Sequence, residues 1–282
     1  MNRVAFARGL CAASLSLGVC APAHALTARV WVSGHGVDAP TCATPTNPCR
    51  TFQYVLSNIV TPGGEIDVLD PAGYGPMVIT QAVSVVNNSG PAVVQASGGD
   101  AIAISASSGS ILLKGLEVTG LGTANNGLHF VGGGKLTIES CSFRHFVGDG
   151  VLIAAGGALT LHIVDFAASE NGQNGVEVAT GGGAVTGRID NGSMDSNGAN
   201  GLSVTGNNAD MLVSGDGFSG NVTGVASSGS GSSRVALSRN AVIGNGTGVA
   251  STGGTSMFTY SSNAITGNTT NVFGLLSPLP GQ

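Results

Sequence analysis

The sequence predicts an all-β solenoid, in which a single chain winds into a stack of parallel strands. Two observations carry this prediction: a repeat of fixed period and an alternation of apolar residues inside each repeat. Glycine followed by a small apolar residue returns every 23 to 26 residues, at Gly127-Leu128, Gly150-Val151, Gly175-Val176, Gly201-Leu202, Gly224-Val225 and Gly248-Val249. Such a period is typical of stacked copies of one small unit that cannot bury its apolar face alone.

Each repeat contains three short strands separated by Gly-rich or polar corners. The first strand, as in residues 175–178, alternates apolar and variable residues, which predicts one buried face. The second strand begins at Leu136, Leu159, Met211, Val235 and Phe258. The third strand carries Phe143, Phe166, Met194, Phe218, Val242 and Ile265. At the corners, Asn240 matches Asn263 and Asn245 matches Asn268, so we expect stacked asparagine ladders.

The N-terminal end of the stack needs a cover, and the sequence offers a short helix for it. Asn47 is the expected N-cap and Pro48 the first helical residue, and residues 49–60 are expected to cover this end of the stack. Phe52, Val55, Leu56 and Ile59 would form its one apolar stripe. At the other end, residues 277–282 are expected to be a flexible tail.

Residues 1–25 have the features of a signal peptide. Arg3 and Arg8 precede a short apolar stretch, and Ala23-His24-Ala25 is a small-residue cleavage site. We therefore expect a secreted protein, extracellular or periplasmic, cleaved near Ala25. The remaining chain divides into an N-terminal segment with the capping helix and first strands (residues 26–99), the solenoid repeats (100–276) and the tail (277–282).

The charge and the cysteines of the chain indicate which partners are not expected and which cysteines form a disulfide. Removal of residues 1–25 leaves eight basic and fifteen acidic residues, a net charge of −7, so nucleic acid is not expected as a partner. No apolar run is long enough to span a membrane. Cys42 and Cys49 flank a Pro-containing loop and are the expected disulfide, and Cys141 is expected to be a buried, inert thiol.

The repeat, together with the opening strands at residues 29–33 and 64–68, resembles the pectate-lyase-like superfamily of right-handed parallel β-helix proteins. The resemblance covers roughly residues 100–272. It implies a single right-handed parallel β-helix of about eight coils, 23 to 26 residues each, with a short N-terminal capping helix. It says little about activity, because this fold hosts lyases, hydrolases, epimerases and non-enzymes.

The outward side chains of the second strand form the only charge-rich column. Aligned after the last inward residue of each strand, they are Lys114, Glu139, His162, Asp190, Ser214, Ser238 and Ser261, with Arg188 two residues before Asp190. Lys114, Glu139, His162, Arg188 and Asp190 are thus the candidate binding residues, and the last four of them are the candidate catalytic ones. Carboxylates beside a histidine can transfer protons, and an arginine can hold a substrate carboxylate. We favour the alternative, an alternating-charge ladder on a solvated face.

The motifs that active members of the superfamily carry are not found in this sequence. Its lyases hold calcium in a cluster of carboxylates, whereas the acidic residues here lie mostly at different repeat positions. Gly34-His35-Gly36 and Arg188-Ile189-Asp190 match fragments of hydrolase motifs, which we interpret as coincidence. No metal-ligand spacing is present, so neither a metal nor a cofactor is expected. Calcium is expected only if the protein is a lyase.

Other polar residues and the aromatic residues add little. His129 and Glu177 share a position two coils apart, His145 is predicted to have no carboxylate beside it, and the single tryptophan, Trp31, lies outside the coils. The favoured function is a secreted, non-catalytic protein that binds or associates with polysaccharide. The alternative is a polysaccharide lyase or epimerase acting on uronic-acid polymers, and a third idea is a trimeric fibre domain. The sequence leaves the oligomeric state open.

Overall fold

The structure, a computed structural model, describes residues 26–229 and 232–279 as one short helix and 29 strands. The predicted signal peptide lies outside the described residues. The helix α1 spans Phe52–Asn58. The strands are β1 (Thr27–Val32), β2 (Val60–Val68), β3 (Ala72–Gly73), β4 (Met77–Ile79), β5 (Val83–Asn87), β6 (Ala92–Gln95), β7 (Ile102–Ile104), β8 (Ser110–Lys114), β9 (Leu116–Thr119), β10 (Leu128–Phe130), β11 (Gly134–Glu139), β12 (Ser142–Arg144), β13 (Val151–Ile153), β14 (Leu159–Val164), β15 (Ala167–Ser169), β16 (Val176–Thr180), β17 (Val185–Asp190), β18 (Ser193–Asp195), β19 (Asn200–Gly206), β20 (Ala209–Ser214), β21 (Gly217–Ser219), β22 (Thr223–Ser228), β23 (Arg234–Ser238), β24 (Ala241–Ile243), β25 (Thr247–Thr252), β26 (Ser256–Thr259), β27 (Ala264–Thr266), β28 (Thr270–Phe273) and β29 (Ser277–Pro278).

The strands form three parallel sheets, and the chain passes through all three in each coil. The long sheet has the order β1-β2-β5-β8-β11-β14-β17-β20-β23-β26-β29. The second sheet runs from β3 to β27 and the third from β4 to β28, each with nine strands. This is the predicted right-handed parallel β-helix, and the fold class is confirmed. The stack begins at β2, before residue 100, because β2 to β7 already pair in register with the later coils.

The interior is filled by aliphatic side chains that stack in register from coil to coil. In the third sheet, Val151 pairs with Val176 and Ile153 with Val178, and all four are fully buried. The residues between them face outward, as the alternation predicts. Stacking of like residues gives one continuous core along the axis, so each coil depends on its neighbours.

The corner after the second sheet contains a buried asparagine ladder. Asn171, Asn197, Asn221, Asn245 and Asn268 stand one coil apart, and each Nδ2 donates to the Oδ1 of the next at 3.0 to 3.1 Å. Each Oδ1 also accepts from the backbone N–H of the preceding asparagine. The predicted ladder is thus present, and it satisfies buried polar groups in pairs.

The N-terminal end is covered by α1, although the helix begins later than predicted. Its N-cap is Thr51, whose hydroxyl accepts from the Tyr54 N–H at 3.2 Å. Asn47 closes a turn with Thr44 instead, so the predicted cap at Asn47 is wrong. Asp38 accounts for the shift, because its carboxylate accepts from the N–H of Arg50 and Thr51 and so holds the chain extended up to Thr51.

The disulfide and the tail complete the two ends. Cys42 and Cys49 are bonded, as predicted, with a Cα–Cα distance of 5.0 Å. At the other end, Ser277 and Pro278 form β29, which pairs with Phe258 and Thr259 of β26. The tail predicted for residues 277–282 is therefore ordered where it begins.

Candidate functional site

Basic side chains concentrate on the outer face of the long sheet, which we call the long-sheet face. Ten Lys and Arg less Arg3 and Arg8 leave eight after residue 25. Five of these eight lie at outward positions of this sheet, namely Arg29, Lys114, Lys135, Arg188 and Arg234. Both lysines of the sequence are among them. The face therefore carries most of the basic side chains of this acidic chain, and five carboxylates share it, namely Glu65, Asp67, Glu139, Asp190 and Asp210.

The outward residues of this face form three columns, and the candidate residues lie in two of them. The first contains Lys114, Glu139, Val164, Asp190, Ser214 and Ser238. The second, two residues earlier in each strand, contains Leu112, Thr137, His162, Arg188, Leu212, Ala236 and Phe258. The predicted single column is thus wrong at His162, which pairs with Arg188 and not with Glu139 or Asp190. Ser261 also falls outside it, because β26 ends at Thr259, opposite Leu237.

The structure divides the five candidate residues into two groups. Lys114 Nζ donates to Glu139 Oε1 at 2.7 Å, and each side chain is about one-third exposed. On the next coil Val164 occupies the equivalent position, and Asp190 follows one coil later. Glu139 and Asp190 are therefore two strand spacings apart, about 10 Å.

The second group consists of His162, Arg188 and Asp190. The Asp190 carboxylate lies between the other two, with Oδ2 at 3.1 Å from Arg188 Nε and 3.4 Å from His162 Nε2. His162 Nε2 is shielded from solvent and makes no hydrogen bond to any described residue. Asp190 and His162 are mostly covered, whereas the Arg188 side chain is 57% exposed. The guanidinium therefore remains available to a ligand while its Nε is held by Asp190.

A groove of about 400 Å³ opens beside this group. It is lined by Lys135, Thr160, Leu161, His162, Thr186, Gly187, Arg188 and Leu212. Lys135 is exposed and forms no ion pair with any described residue. The lining has three nitrogen-bearing side chains and no carboxylate, so it is suited to an anionic group.

An aromatic ring stands near each end of the long-sheet face. The Arg29 guanidinium lies 5.3 Å from the Trp31 ring centre, and that of Arg234 lies 5.2 Å from the Phe258 ring centre. Trp31 continues the column of Lys114 through Asp67 of β2 and Val86 of β5. The sequence reading placed Trp31 outside the coils and so missed that it shares this face. The signal was the alternation in β1, which makes Trp31 outward between buried Val30 and Val32.

A second concavity, of about 830 Å³, lies at the corner after the second sheet. His145 Nε2 and Glu170 Oε2 approach to 2.6 Å at its wall, so the expectation that no carboxylate stands beside His145 is wrong. The error came from matching Phe166 with Phe143, whereas the register pairs Phe143 with Ala168. Both side chains of the pair are about half exposed, so this is a surface ion pair.

Other titratable groups lie on the third sheet and in the core. His129 Nδ1 lies 2.9 Å from Asp100 Oδ2, and Glu177 accepts from Asn174. Burial raises the pKa of Glu177 and of nearby Asp149, and the charge of Asp149 raises that of Glu177 further. Burial raises the pKa of the Cys141 thiol to about 11, which fits the inert thiol expected there. Among the described residues, no group of His, Cys, Asp or Glu could hold a metal ion.

A family model described as "Right handed beta helix region" matches residues 126–277, more than half of the chain. The chain belongs to the right-handed β-helix family. Among solved structures, this β-helix protein resembles the crystal structure of pectate lyase Pel9A, with a TM-score of 0.60 and 18% identity. That match covers 86% of this chain and 71% of the other, and it shows the fold alone.

A second solved structure, the A-module of the Azotobacter vinelandii mannuronan C-5 epimerase AlgE4, gives a TM-score of 0.39 at 13% identity. It covers 78% of this β-helix protein and 91% of the module. Among curated proteins, none matches this sequence. Within the part of the chain that the structure describes, no helix is long and apolar enough to cross a membrane.

Proposed function

We propose that this β-helix protein is secreted and binds an acidic polysaccharide on the long-sheet face without turning it over. The observation that carries the proposal is the groove beside Arg188. In a chain of net charge −5, its lining contains Lys135, His162 and Arg188 and no carboxylate. A uronic-acid unit supplies the carboxylate that such a lining would hold.

The groove also offers what a sugar ring needs besides its charge. Thr160 and Thr186 present hydroxyl groups, and Leu212, 39% exposed, presents an apolar surface to the C–H face of the ring. Eleven strands at about 4.8 Å give a face about 50 Å long, enough for several sugar units. The likeness in fold to a pectate lyase is consistent with a polysaccharide as the ligand.

The geometry disfavours catalysis by the four candidate residues together. Glu139 is neutralised by Lys114 and is separated from Asp190 by Val164. Asp190 in turn is engaged by Arg188. An acid and a base must both reach one reacting bond, and Glu139 lies too far away to complete such a pair.

Secretion is supported by two features. Residues 1–25 have the pattern of a signal peptide, and the Cys42–Cys49 disulfide is typical of an oxidising compartment. The cleavage site near Ala25 would be read from the N-terminal sequence of the exported protein.

Binding to polygalacturonate, alginate and neutral dextran, measured by calorimetry, tests the proposal. We expect the two acidic polymers to bind, dextran not to bind, and affinity to fall with added salt. Arg188→Ala and Lys135→Ala should each weaken binding about tenfold. The matched control is Arg144→Ala, because Arg144 is exposed on the second sheet, away from the groove. Equal affinity for dextran, or equal loss in the control, would contradict the proposal.

The alternative, a uronate lyase or epimerase, draws support from one observation. His162 lines the groove next to Arg188, as a base beside a substrate-holding group would. Absorbance of unsaturated products detects a lyase, and the uronate composition by NMR detects an epimerase. Turnover that is lost in His162→Ala would replace the non-catalytic function with this one.

A further inference from the structure

Three basic side chains of the long-sheet face keep nitrogen atoms free for a ligand, and they recur at a regular spacing. Lys135 and Arg234 are exposed and form no ion pair with any described residue. Arg188 is paired with Asp190 through Nε, but its side chain is 57% exposed. The three lie on β11, β17 and β23, so about 10 Å along the axis, or two strand spacings, separates each from the next.

The strands between these basic residues present groups of a different kind. Strand β14 presents the Thr160 hydroxyl, and β20 presents Asp210 and Leu212, both exposed and two residues apart. Among the described residues, Asp210 is the one carboxylate of this face without an ion pair. Its neighbour Arg234 lies over the Phe258 ring of β26 instead. A ligand carboxylate opposite Asp210 would be repelled, so the ligand unit at β20 must be uncharged.

This spacing corresponds to the units of a polysaccharide that lies along the stack. In an extended polysaccharide chain, one sugar unit is about as long as one strand spacing, about 4.8 Å. A basic side chain at every second strand therefore matches a carboxylate on every second sugar. An N-acetylated sugar between two uronates has the groups that β20 would bind. Its amide N–H can donate to the Asp210 carboxylate, and its methyl group can cover Leu212.

We propose that the long-sheet face selects an acidic polysaccharide that alternates a uronate with a neutral, N-acetylated sugar, a specificity that presupposes the proposed function. Three successive uronates would contact Lys135, Arg188 and Arg234, and one of the sugars between them would contact Asp210 and Leu212. A polymer made of uronates alone has more charge. Half of its carboxylates, however, would lie opposite β14 and β20, where no free lysine or arginine side chain meets them.

Calorimetry with two hexasaccharides tests this inference. One alternates glucuronate with N-acetylglucosamine and has three carboxylates, and the other is glucuronate throughout and has six. At the same salt concentration we expect the alternating hexasaccharide to bind about tenfold more tightly, the reverse of what its charge alone predicts. If neither hexasaccharide binds, the proposed function fails and this inference fails with it. Equal or tighter binding of the glucuronate hexasaccharide would overturn the alternating specificity alone.

Two substitutions test the basic and the intervening strands separately. Asp210→Asn removes the repulsion, so it should strengthen binding of the glucuronate hexasaccharide about fivefold and change that of the alternating one by less than about twofold. Arg234→Ala should weaken the alternating hexasaccharide about tenfold and its tetrasaccharide much less, because Lys135 and Arg188 suffice for two carboxylates. The matched control, Glu117→Gln, removes a carboxylate from β9 on the second sheet and should change neither affinity. An unchanged glucuronate affinity in Asp210→Asn, or equal losses for both lengths in Arg234→Ala, would contradict the proposal.

Discussion

The asparagine ladder and the long-sheet face are made by the same coils, yet they follow opposite rules. The ladder places one residue type, asparagine, at the same corner in five successive coils. The second column of the long-sheet face repeats no residue type between Leu112 and Arg188. The ladder must repeat asparagine because each side-chain amide forms hydrogen bonds with the amide of the next coil. The face has no such requirement, so its residues are free to suit a ligand.

The ladder should respond most strongly to substitution. Asn197 accepts from the N–H and Nδ2 of Asn171 and donates to Ala168 O and Asn221 Oδ1. Asn197→Ala removes the acceptor of the Asn171 N–H and the side-chain donor to Ala168 O, and it leaves Asn171 Nδ2 and Asn221 Oδ1 with one hydrogen bond fewer each. We therefore expect it to lower the free energy of unfolding by about 4 kcal/mol. Chemical denaturation measures the loss.

The matched control for Asn197→Ala is a residue of β17 on the long-sheet face. Thr186→Ala removes an exposed hydroxyl from β17 and should change stability by less than about 0.5 kcal/mol. Equal losses in the two variants would show that the ladder is no more important for stability than the face.

A second ladder-like position is broken by one residue and shows what repetition achieves. Asp216, Asn240 and Asn263 occupy this position in three successive coils. The N–H of Asp216 donates to Asn240 Oδ1 at 2.9 Å, and the N–H of Asn240 donates to Asn263 Oδ1. Asn240 Nδ2 donates to the carbonyl of Val213. For Asp216, one coil earlier, the carbonyl at the equivalent position is that of Ile189. An aspartate has no amide to donate there, and Asp216 Oδ2 is buried without a partner among the described residues. Burial raises the pKa of Asp216 to about 7, and the charge of Asp190 adds to this.

Replacement of Asp216 by asparagine should therefore stabilise the protein in a pH-dependent way. The folded-state pKa lies above the ordinary 3.8, so the folded state binds the extra proton between these values. The contribution of Asp216 to stability is thus fully present below about pH 4 and is lost as the pH rises through about 7. We expect Asp216→Asn to raise stability at pH 8 by roughly 2 to 3 kcal/mol, and by little at pH 4.

Unfolding curves from pH 4 to pH 8 measure this effect, with Asp210→Asn as an exposed control that should match the unmodified protein. Asp149 and Glu177 also have raised pKa values and stay in both variants, so some decline with pH remains. A variant with the same pH dependence as the unmodified protein would refute the assignment of the decline to Asp216.

The sequence predicted the ladder and failed on the columns for the same physical reason. Asparagine at Asn245 and Asn268 marks its own register, because only that residue type suits the position. Apolar alternation marks a register only to within two residues, since a shift by two keeps every side chain on its face. Strand β14 has three inward residues, Leu159, Leu161 and Ile163, and the sequence does not say which two match Leu136 and Ile138.

The misplaced His162 and the missed His145–Glu170 pair are both two-residue shifts of this kind. The fold class and the Cys42–Cys49 disulfide did not depend on register, and both were predicted correctly. Only the structure shows that His162 lies beside Arg188 and that Trp31 lies on the long-sheet face, because both depend on which strands are neighbours.

The smallest expected change in stability concerns the Lys114–Glu139 pair. Here two side chains of neighbouring strands on the long-sheet face pair with each other, as the asparagines of the ladder do. Lys114 Nζ lies 2.7 Å from Glu139 Oε1, but both side chains are about one-third exposed, so water and salt screen the pair. We expect Lys114→Ala to lower stability by less than about 1 kcal/mol, and less still at high salt. Lys135→Ala, which removes an unpaired lysine from the next strand, should have almost no effect.

The double substitution Lys114→Ala with Glu139→Ala measures the coupling between the two side chains, which must vanish at high salt if the pair is only a surface contact. A coupling that persists there would mean that this part of the face is held as firmly as the ladder, and that repetition is not the only way these coils fix a side chain.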